Sequence, residues 1–470
     1  MTVLLAYTLV LLLGTILVLA ARRAQMTTAG RPLVSAYTVI LGLFALYMFM
    51  PALMLLVFQN GEYVWLPSYG GYGSIALTAF VTVAALACFL GAYWLRARAG
   101  PQTAEVAPFR APGPATRTLA WAMIVLGVLL KLYALYAAGG IEESTIRLSA
   151  GARNAVGVDE LSSSINMIRY LSGMADASIV WLVLHQLASR RFNIVPFVVF
   201  AIVIGLSFFG TGKRLFLLWP LVALVLGFHY YVRPLRVNLA PVAIAVVILA
   251  GFATLMSRVF LPAQAAEIEI DLYQVYWAQG SLLSFYFFSQ EYASFEVFTL
   301  AIENSDAVVR LFGDAVNAFY ITNIQPISYF VPRVFWPGKP EFLVDLAHAY
   351  RIYVSGGELT SGGGINGTLT ATSWTFGGPI GVAVAMTAMG YLSATMDASR
   401  TVKGQLSPIG IVWYAFGLVT VFHLFRQGTL GWTVMIVIYQ QLGLFAAFIL
   451  LGLFDRMPAR RSRPAAVRRV

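Results

Sequence analysis

Three observations predict an all-α polytopic membrane protein, with about eleven transmembrane helices and one large extracytoplasmic loop. The 470 residues are 59% hydrophobic and 11% charged, against roughly 25% charged in an average soluble domain. Apolar runs of about 18–24 residues recur along the chain, long enough as helices to cross a bilayer. The cations gather in alternate connections between those runs, as the inside loops of a membrane protein require.

Spans are expected at about 3–20, 33–58, 74–95, 118–137, 167–188, 192–209, 215–231 and 238–256, with three more at about 371–394, 406–424 and 430–454. This divides the chain into helices 1–8 over 1–256, a loop domain over 257–370, helices 9–11 over 371–454 and a basic tail over 455–470. The first run, VLLAYTLVLLLGTILVLA, has no basic stretch ahead of it and is followed by ARRAQ, so it is read as a retained helix and not a cleaved leader. Arg22, Arg23 and Arg31 follow it; Arg96, Arg98, Arg110 and Arg117 mark the Pro/Ala-rich linker at 96–117. Arg190 and Arg191, Arg233 and Arg236, Arg400 and Lys403, and the tail from Arg456 to Arg469 complete the series. All fall on one side if the N-terminus is outside and the C-terminus cytoplasmic. The formal charge of +11 is therefore explained mostly by topology and contact with anionic lipid, and nucleic acid is not an expected partner. Cys88 is the single cysteine, which excludes an intrachain disulfide. No internal repeat is evident, against a transporter built of inverted halves.

The outside connections keep cations where the sorting rule depletes them. In SFFGTGKRLFLLWP, residues 207–220, Gly210 and Gly212 permit a tight turn, and Lys213 and Arg214 stand at the start of the next helix. A helix N-terminus already favours anions, and two cations beside it strengthen that field. Snorkelling to headgroup phosphates explains the pair equally well. The GxxxxGK[ST] spacing of a phosphate loop is absent. The turn VFHLFRQGTLGW, residues 421–432, offers His423, Arg426 and Gln427 between two spans. Arginine can fork onto phosphate oxygens there.

Within the loop, Glu267, Glu269 and Asp271 are read as a solvated face in preference to a metal site, and no metal or other cofactor is expected. Tyr273, Tyr276, Trp277 and Phe285–Phe288 suggest amphipathic helices at the interface. Glu291, Glu296 and Glu303 follow, with Asp306 and Asp314. The densest signal is YFVPRVFWPGKP, residues 329–340. Pro332, Pro337 and Pro340 stiffen it, so Arg333 and Lys339 are cations on a rigid frame that no lipid-facing span would hold. In EFLVDLAHAYR the spacing puts Asp345, His348 and Arg351 near one helical face, where the carboxylate can fix the histidine tautomer. The equally weighted alternative is an ordinary surface helix with an incidental ion pair. Glu358 then lies in the glycine- and hydroxyl-rich GGELTSGGGINGTLTATSW.

With GTGKRLF, PRVFWPGKP, TATSWTFGGPIG and FRQG in place, the chain resembles the bacterial oligosaccharide repeat-unit polymerases, the Wzy-type O-antigen and exopolysaccharide polymerases. The overall pattern covers most of the chain; the specific part is residues 325–381. The resemblance implies a GT-C-like, metal-independent glycosyl transfer on the outer face of the bacterial cytoplasmic membrane. Donor and acceptor would be glycans on undecaprenyl diphosphate, with membrane lipids, a chain-length regulator and a flippase as further partners. Lys213, Arg214, Arg333, Lys339, Arg351 and Arg426 would then hold the diphosphate, since fixed cations stabilise a leaving group that gains charge. His348, Glu358 and Asp345 are the candidates to take the proton of the acceptor hydroxyl. An O-antigen ligase-type transferase and a polysaccharide or lipid transporter remain the alternatives.

Overall fold

The computed structural model describes residues 2–27, 35–58, 72–98, 112–140, 163–190, 192–211, 215–232, 294–326, 336, 346–354, 367–398, 407–437 and 441–456. Every regular element among them is helical. In chain order these are α1 (Thr2–Thr27), α2 (Ala36–Phe44), α3 (Met50–Phe58), α4 (Tyr72–Arg98), α5 (Pro114–Ala137), α6 (Ser163–Leu171), α7 (Met174–Ser189), α8 (Ile194–Thr211), α9 (Leu215–Gly227), α10 (Ser294–Arg310), α11 (Ala315–Phe319), α12 (Leu346–Val354), α13 (Leu369–Ala398), α14 (Pro408–Gln427), α15 (Leu430–Val437) and α16 (Leu442–Arg456). Short π-helical turns at Ala45–Phe49, Phe228–Val232 and Tyr320–Ile324 follow α2, α9 and α11.

Seven helical stretches are long and apolar enough to cross a membrane, and three shorter apolar helices lie beside them. The chain is thus an α-helical polytopic membrane protein. Its α1 shows the physical pattern plainly. Ala6, Val10, Leu13, Leu17 and Ala20 are buried, spaced along one side of the helix. Leu4, Leu11, Val18 and Leu19 are exposed on the others. A helix apolar all round, with one seam against protein, uses its remaining surface against lipid. The span expected at 238–256 lies outside the described residues.

Two apolar cores organise the packing. One is built from α1, α2–α3, α4, α10, α12 and α13, with Phe44, Phe89, Phe298 and Tyr350 fully enclosed. The other surrounds α7 with α5, α8, α9, α14 and α16, and encloses Trp181, Trp219 and Phe448. Helix α14 borders both, since Phe425 packs in the first and Ala415 in the second. Helix α13 bends at Gly378, whose φ of 55° is open to glycine, and Pro379 follows it.

One end of the bundle is tied by a carboxylate. Asp397, near the end of α13, accepts from the backbone N–H groups of Ala36 and Tyr37 at 3.0 and 3.2 Å. It also accepts from the hydroxyls of Tyr93 at 2.8 Å and Tyr414 at 2.7 Å. A negative group at the N-terminus of α2 satisfies donors that the helix itself leaves open. Beside it the Arg23 guanidinium sits 4.4 Å from the Trp94 ring centre, the pairing of cation and aromatic found where helices meet the headgroups.

Candidate functional site

At the other end of α13 the chain gathers hydroxyls. Thr368, Thr370, Thr372 and Thr375 are all buried. Thr368 and Thr370 pair at 2.7 Å, and Thr375 donates to the Ala371 carbonyl at 3.0 Å. Such local bonds let a threonine-rich segment start a helix inside protein. Four other segments converge on this point. Tyr350 of α12 bonds Thr375 through its hydroxyl. Phe298 of α10 meets Trp374 edge-on, with ring centres 6.3 Å apart. The π-helical turn after α11 supplies Asn323, which accepts from the Leu430 backbone N–H at 3.0 Å. The fourth segment is the turn between α14 and α15.

That turn depends on Gly428. Its φ of 71° ends α14 in a left-handed cap, with its N–H on the Leu424 carbonyl at 3.1 Å. A Cβ there would lie 2.5 Å from the Gly367 carbonyl oxygen and 2.6 Å from that of Thr368, and would strike the Thr372 hydroxyl. The turn is therefore pressed directly on the start of α13. Arg426, half-buried in the last turn of α14, is carried with it.

No known protein family, characterised protein or solved structure matches this chain. The site is accordingly read from its own residues. Two of the segments named from sequence, α12 with His348 and Arg351 and the turn with Arg426, meet at the start of α13. At His348 and Arg351 the helix backbone alone is described. Lys213, Arg214, Arg333, Lys339, Asp345 and Glu358 lie outside the described residues. Among the described residues no group of three His, Cys, Asp or Glu is placed to hold a metal ion.

The structure separates the acids that the sequence grouped in the loop. Glu303 and Asp306 are exposed, and Asp314 caps α11 through the Asn317 N–H at 2.8 Å. Glu296 differs from all of them. It has no exposed surface, and neither carboxyl oxygen has a hydrogen-bond partner among the described residues. Burial pushes its pKa up to about 8, because the charged form loses its hydration. The sequence hid this because the apolar neighbours of Glu296 on both sides, Phe295 and Val297, are buried as well.

A second polar group lies within the spans. Lys131 Nζ is 2.9 Å from Asp176 Oδ2 and donates to Ser207 Oγ at 2.6 Å. Ser207 Oγ stands 2.6 Å from Asp176 Oδ1. The three residues join α5, α7 and α8, and all are buried. The pairing is not legible in the sequence, because α5 and α7 are brought together only by tertiary packing.

Proposed function

We propose that this protein polymerises undecaprenyl-diphosphate-linked oligosaccharide repeat units into a surface polysaccharide, by glycosyl transfer on the outer face of the bacterial cytoplasmic membrane. The observation that supports this most is the meeting of α12 and the α14–α15 turn at the hydroxyl-rich start of α13. It gathers at one end of the bundle two segments that carry Arg351 and Arg426. In this reading the chain has about eleven spans in a GT-C-like arrangement, the N-terminus outside, the C-terminus cytoplasmic, and 257–370 as the outer loop. Lys213, Arg214, Arg333 and Lys339 complete the diphosphate site. As the bond from the anomeric carbon to the diphosphate breaks, negative charge collects on the leaving group and the cations stabilise it. The attacking hydroxyl passes its proton to a base, for which His348, Asp345 and Glu358 are the candidates.

Purified protein in lipid, given one lipid-linked repeat unit in the presence of EDTA, should form a ladder of repeats. Consumption of the unit only when a different acceptor is added would replace this reading with a ligase. A second reading, transport of a lipid or polysaccharide, is favoured by the ion pair of Lys131 and Asp176 inside the spans, since ionisable groups at membrane depth commonly serve substrate or proton paths. Movement of the lipid-linked unit across a sealed vesicle, without ladder formation, would establish it.

A further inference from the structure

Lys131 and Asp176 belong to two of the helices long and apolar enough to cross a membrane, and Ser207 ends a shorter apolar one. Close packing holds their contacts. A Cβ on Gly127, one turn before Lys131, would lie 2.6 Å from Ala175 Cβ and 2.9 Å from the Ser172 carbonyl oxygen. Glycine thus lets α5 come hard against the start of α7, and Ser207 ties α8 to both. The three side chains are sealed off, with Lys131 7%, Asp176 1% and Ser207 2% exposed. A proton is a ligand that such a site takes without a cavity.

The serine hydroxyl is oversubscribed. Lys131 Nζ donates to Ser207 Oγ at 2.6 Å, while Asp176 Oδ1 at 2.6 Å and the Val203 carbonyl at 2.9 Å both compete for the single hydroxyl proton. With the carboxylate charged, that proton goes to Asp176. With a proton added on Asp176 Oδ1, the carboxyl becomes the donor and the serine turns its own proton to Val203. The hydroxyl then accepts twice and donates once, which is its full capacity. A serine bond to the carbonyl four residues back is common in helices. Here it gives the hydroxyl somewhere to place its proton when the carboxyl carries one. Both forms keep Lys131, Asp176 and Ser207 bonded to one another with no heavy atom displaced.

The charged group bonded to Asp176 is Lys131. Of the elements packed on α7, α8 and α9 carry no titratable residue, and the other cation of α5, Arg117, stands near its start. Helix α14 brings Tyr414, His423 and Arg426. The π-helical turn at Phe228–Val232 brings His229 and two tyrosines, and α16 ends in Asp455 and Arg456. The preceding α6 carries Arg169, over the Tyr170 ring. On α7 itself His185 lies two and a half turns beyond Asp176, bonded to the Trp181 carbonyl.

We propose that Asp176 is a proton-binding site with Ser207 as its hydroxyl switch, taking up one proton from the medium. One O–H bond forms on Asp176 and none is lost, since the serine proton only changes acceptor. The site passes from neutral to one positive charge. The Lys131 ammonium then faces a neutral carboxyl, so the attraction that ties α5 to α7 falls. The proposal rests on neither reading of the function.

The test uses the full chain carrying Glu296→Gln, which removes the other buried carboxyl, in phosphatidylcholine nanodiscs. The infrared C=O band of protonated carboxyls is followed as the medium is acidified; histidines do not enter it. Subtraction of the same protein with Asp176→Asn should leave one carboxyl band that grows on acidification and shifts down in heavy water. Ser207→Ala should move that band, and Ser207→Thr, which keeps the hydroxyl, should leave it in place. No such band in the subtraction, or a band that Ser207→Ala leaves unmoved, would overturn the proposal. If Asp176→Asn does not fold, the serine pair still decides: the band displaced by Ser207→Ala and kept by Ser207→Thr belongs to the carboxyl 2.6 Å away.

Discussion

At the scale of single residues, Glu296 and the Lys131–Asp176 pair are two buried polar arrangements that differ in how they are satisfied. Glu296 is enclosed without a hydrogen-bond partner among the described residues, so its neutral form is the one the folded protein favours. Its pKa rises from the ordinary value of 4.5 to about 8. Below about pH 4.5 the folded and unfolded chains both hold the proton, and the residue is neutral to stability. Between these two values the unfolded chain releases the proton while the folded chain keeps it, so stability falls as pH rises. Above about pH 8 the loss is complete. Glu296→Gln should remove this slope, and should melt higher than the wild type at pH 8 but not at pH 4.5. Parallel melting curves for the two proteins across that range would show that the carboxyl is not neutral in the fold. Lys131 and Asp176 bond each other and Ser207, and here the damage comes from removing one partner. Lys131→Ala or Asp176→Ala should each cost about 3–5 kcal/mol, whereas Lys131→Met with Asp176→Leu should be nearly neutral. Chemical denaturation of the three variants in detergent checks this. A double variant that folds and moves the lipid-linked unit across sealed vesicles as fast as the wild type would remove the ion pair as support for the transport reading.

At the scale of elements, what the sequence shows depends on whether an element is set by its own residues. The runs that became α1, α4, α5, α13 and α14 were legible because length and apolarity alone define a crossing helix. The convergence at Gly428 was legible only in part. FRQG announced a helix end with a cation, but not that the turn presses on Gly367 and Thr368, which lie far away in sequence. The Asp397 knot was not legible at all, since its four donors come from Ala36, Tyr37, Tyr93 and Tyr414. Gly428→Ala should be severe for two reasons. A left-handed alanine costs about 1–2 kcal/mol, and its methyl would overlap two carbonyl oxygens. The expected result is a lower melting temperature together with loss of ladder formation. Asp397→Asn keeps the shape but puts an NH2, which cannot accept, where one carboxylate oxygen takes a backbone N–H and a tyrosine hydroxyl, and a bond to a charged acceptor is worth about 1.5–3 kcal/mol. It should lower the melting temperature without moving the pH dependence that belongs to Glu296. A melting temperature equal to the wild type would mean the knot is incidental.

At the scale of the whole molecule, the two ends of the bundle carry different chemistry, and this makes the orientation testable. The end with Asp397 also holds Arg23, Trp94 and Arg96, the last with its guanidinium 5.7 Å from the Tyr391 ring centre. The end with the buried threonines holds α12 and the Arg426 turn. Helices α4 and α13 run the full distance between the two ends, so the side taken by one end fixes the side of the other. In the proposed orientation, cations flanking a span are retained in the cytoplasm during insertion, with the Asp397 end inside and the threonine end outside. Cys88, half-buried in α4, is the single thiol of the chain, so Cys88→Ser gives a background with none. Into it can be set Gln102→Cys and Ser462→Cys, expected inside, and Thr360→Cys, expected outside. A membrane-impermeant maleimide applied to intact cells should modify only the cysteine at position 360, and should reach the other two after permeabilisation. The reverse pattern would put α12 and the Arg426 turn in the cytoplasm. A lipid-linked repeat unit presented outside could not reach them there, and the polymerase reading would fall even if the same residues bound a diphosphate. Modification of positions 102 and 462 from opposite sides would instead change the number of spans between them from even to odd, leaving the side of the threonine end to be decided by position 360 alone.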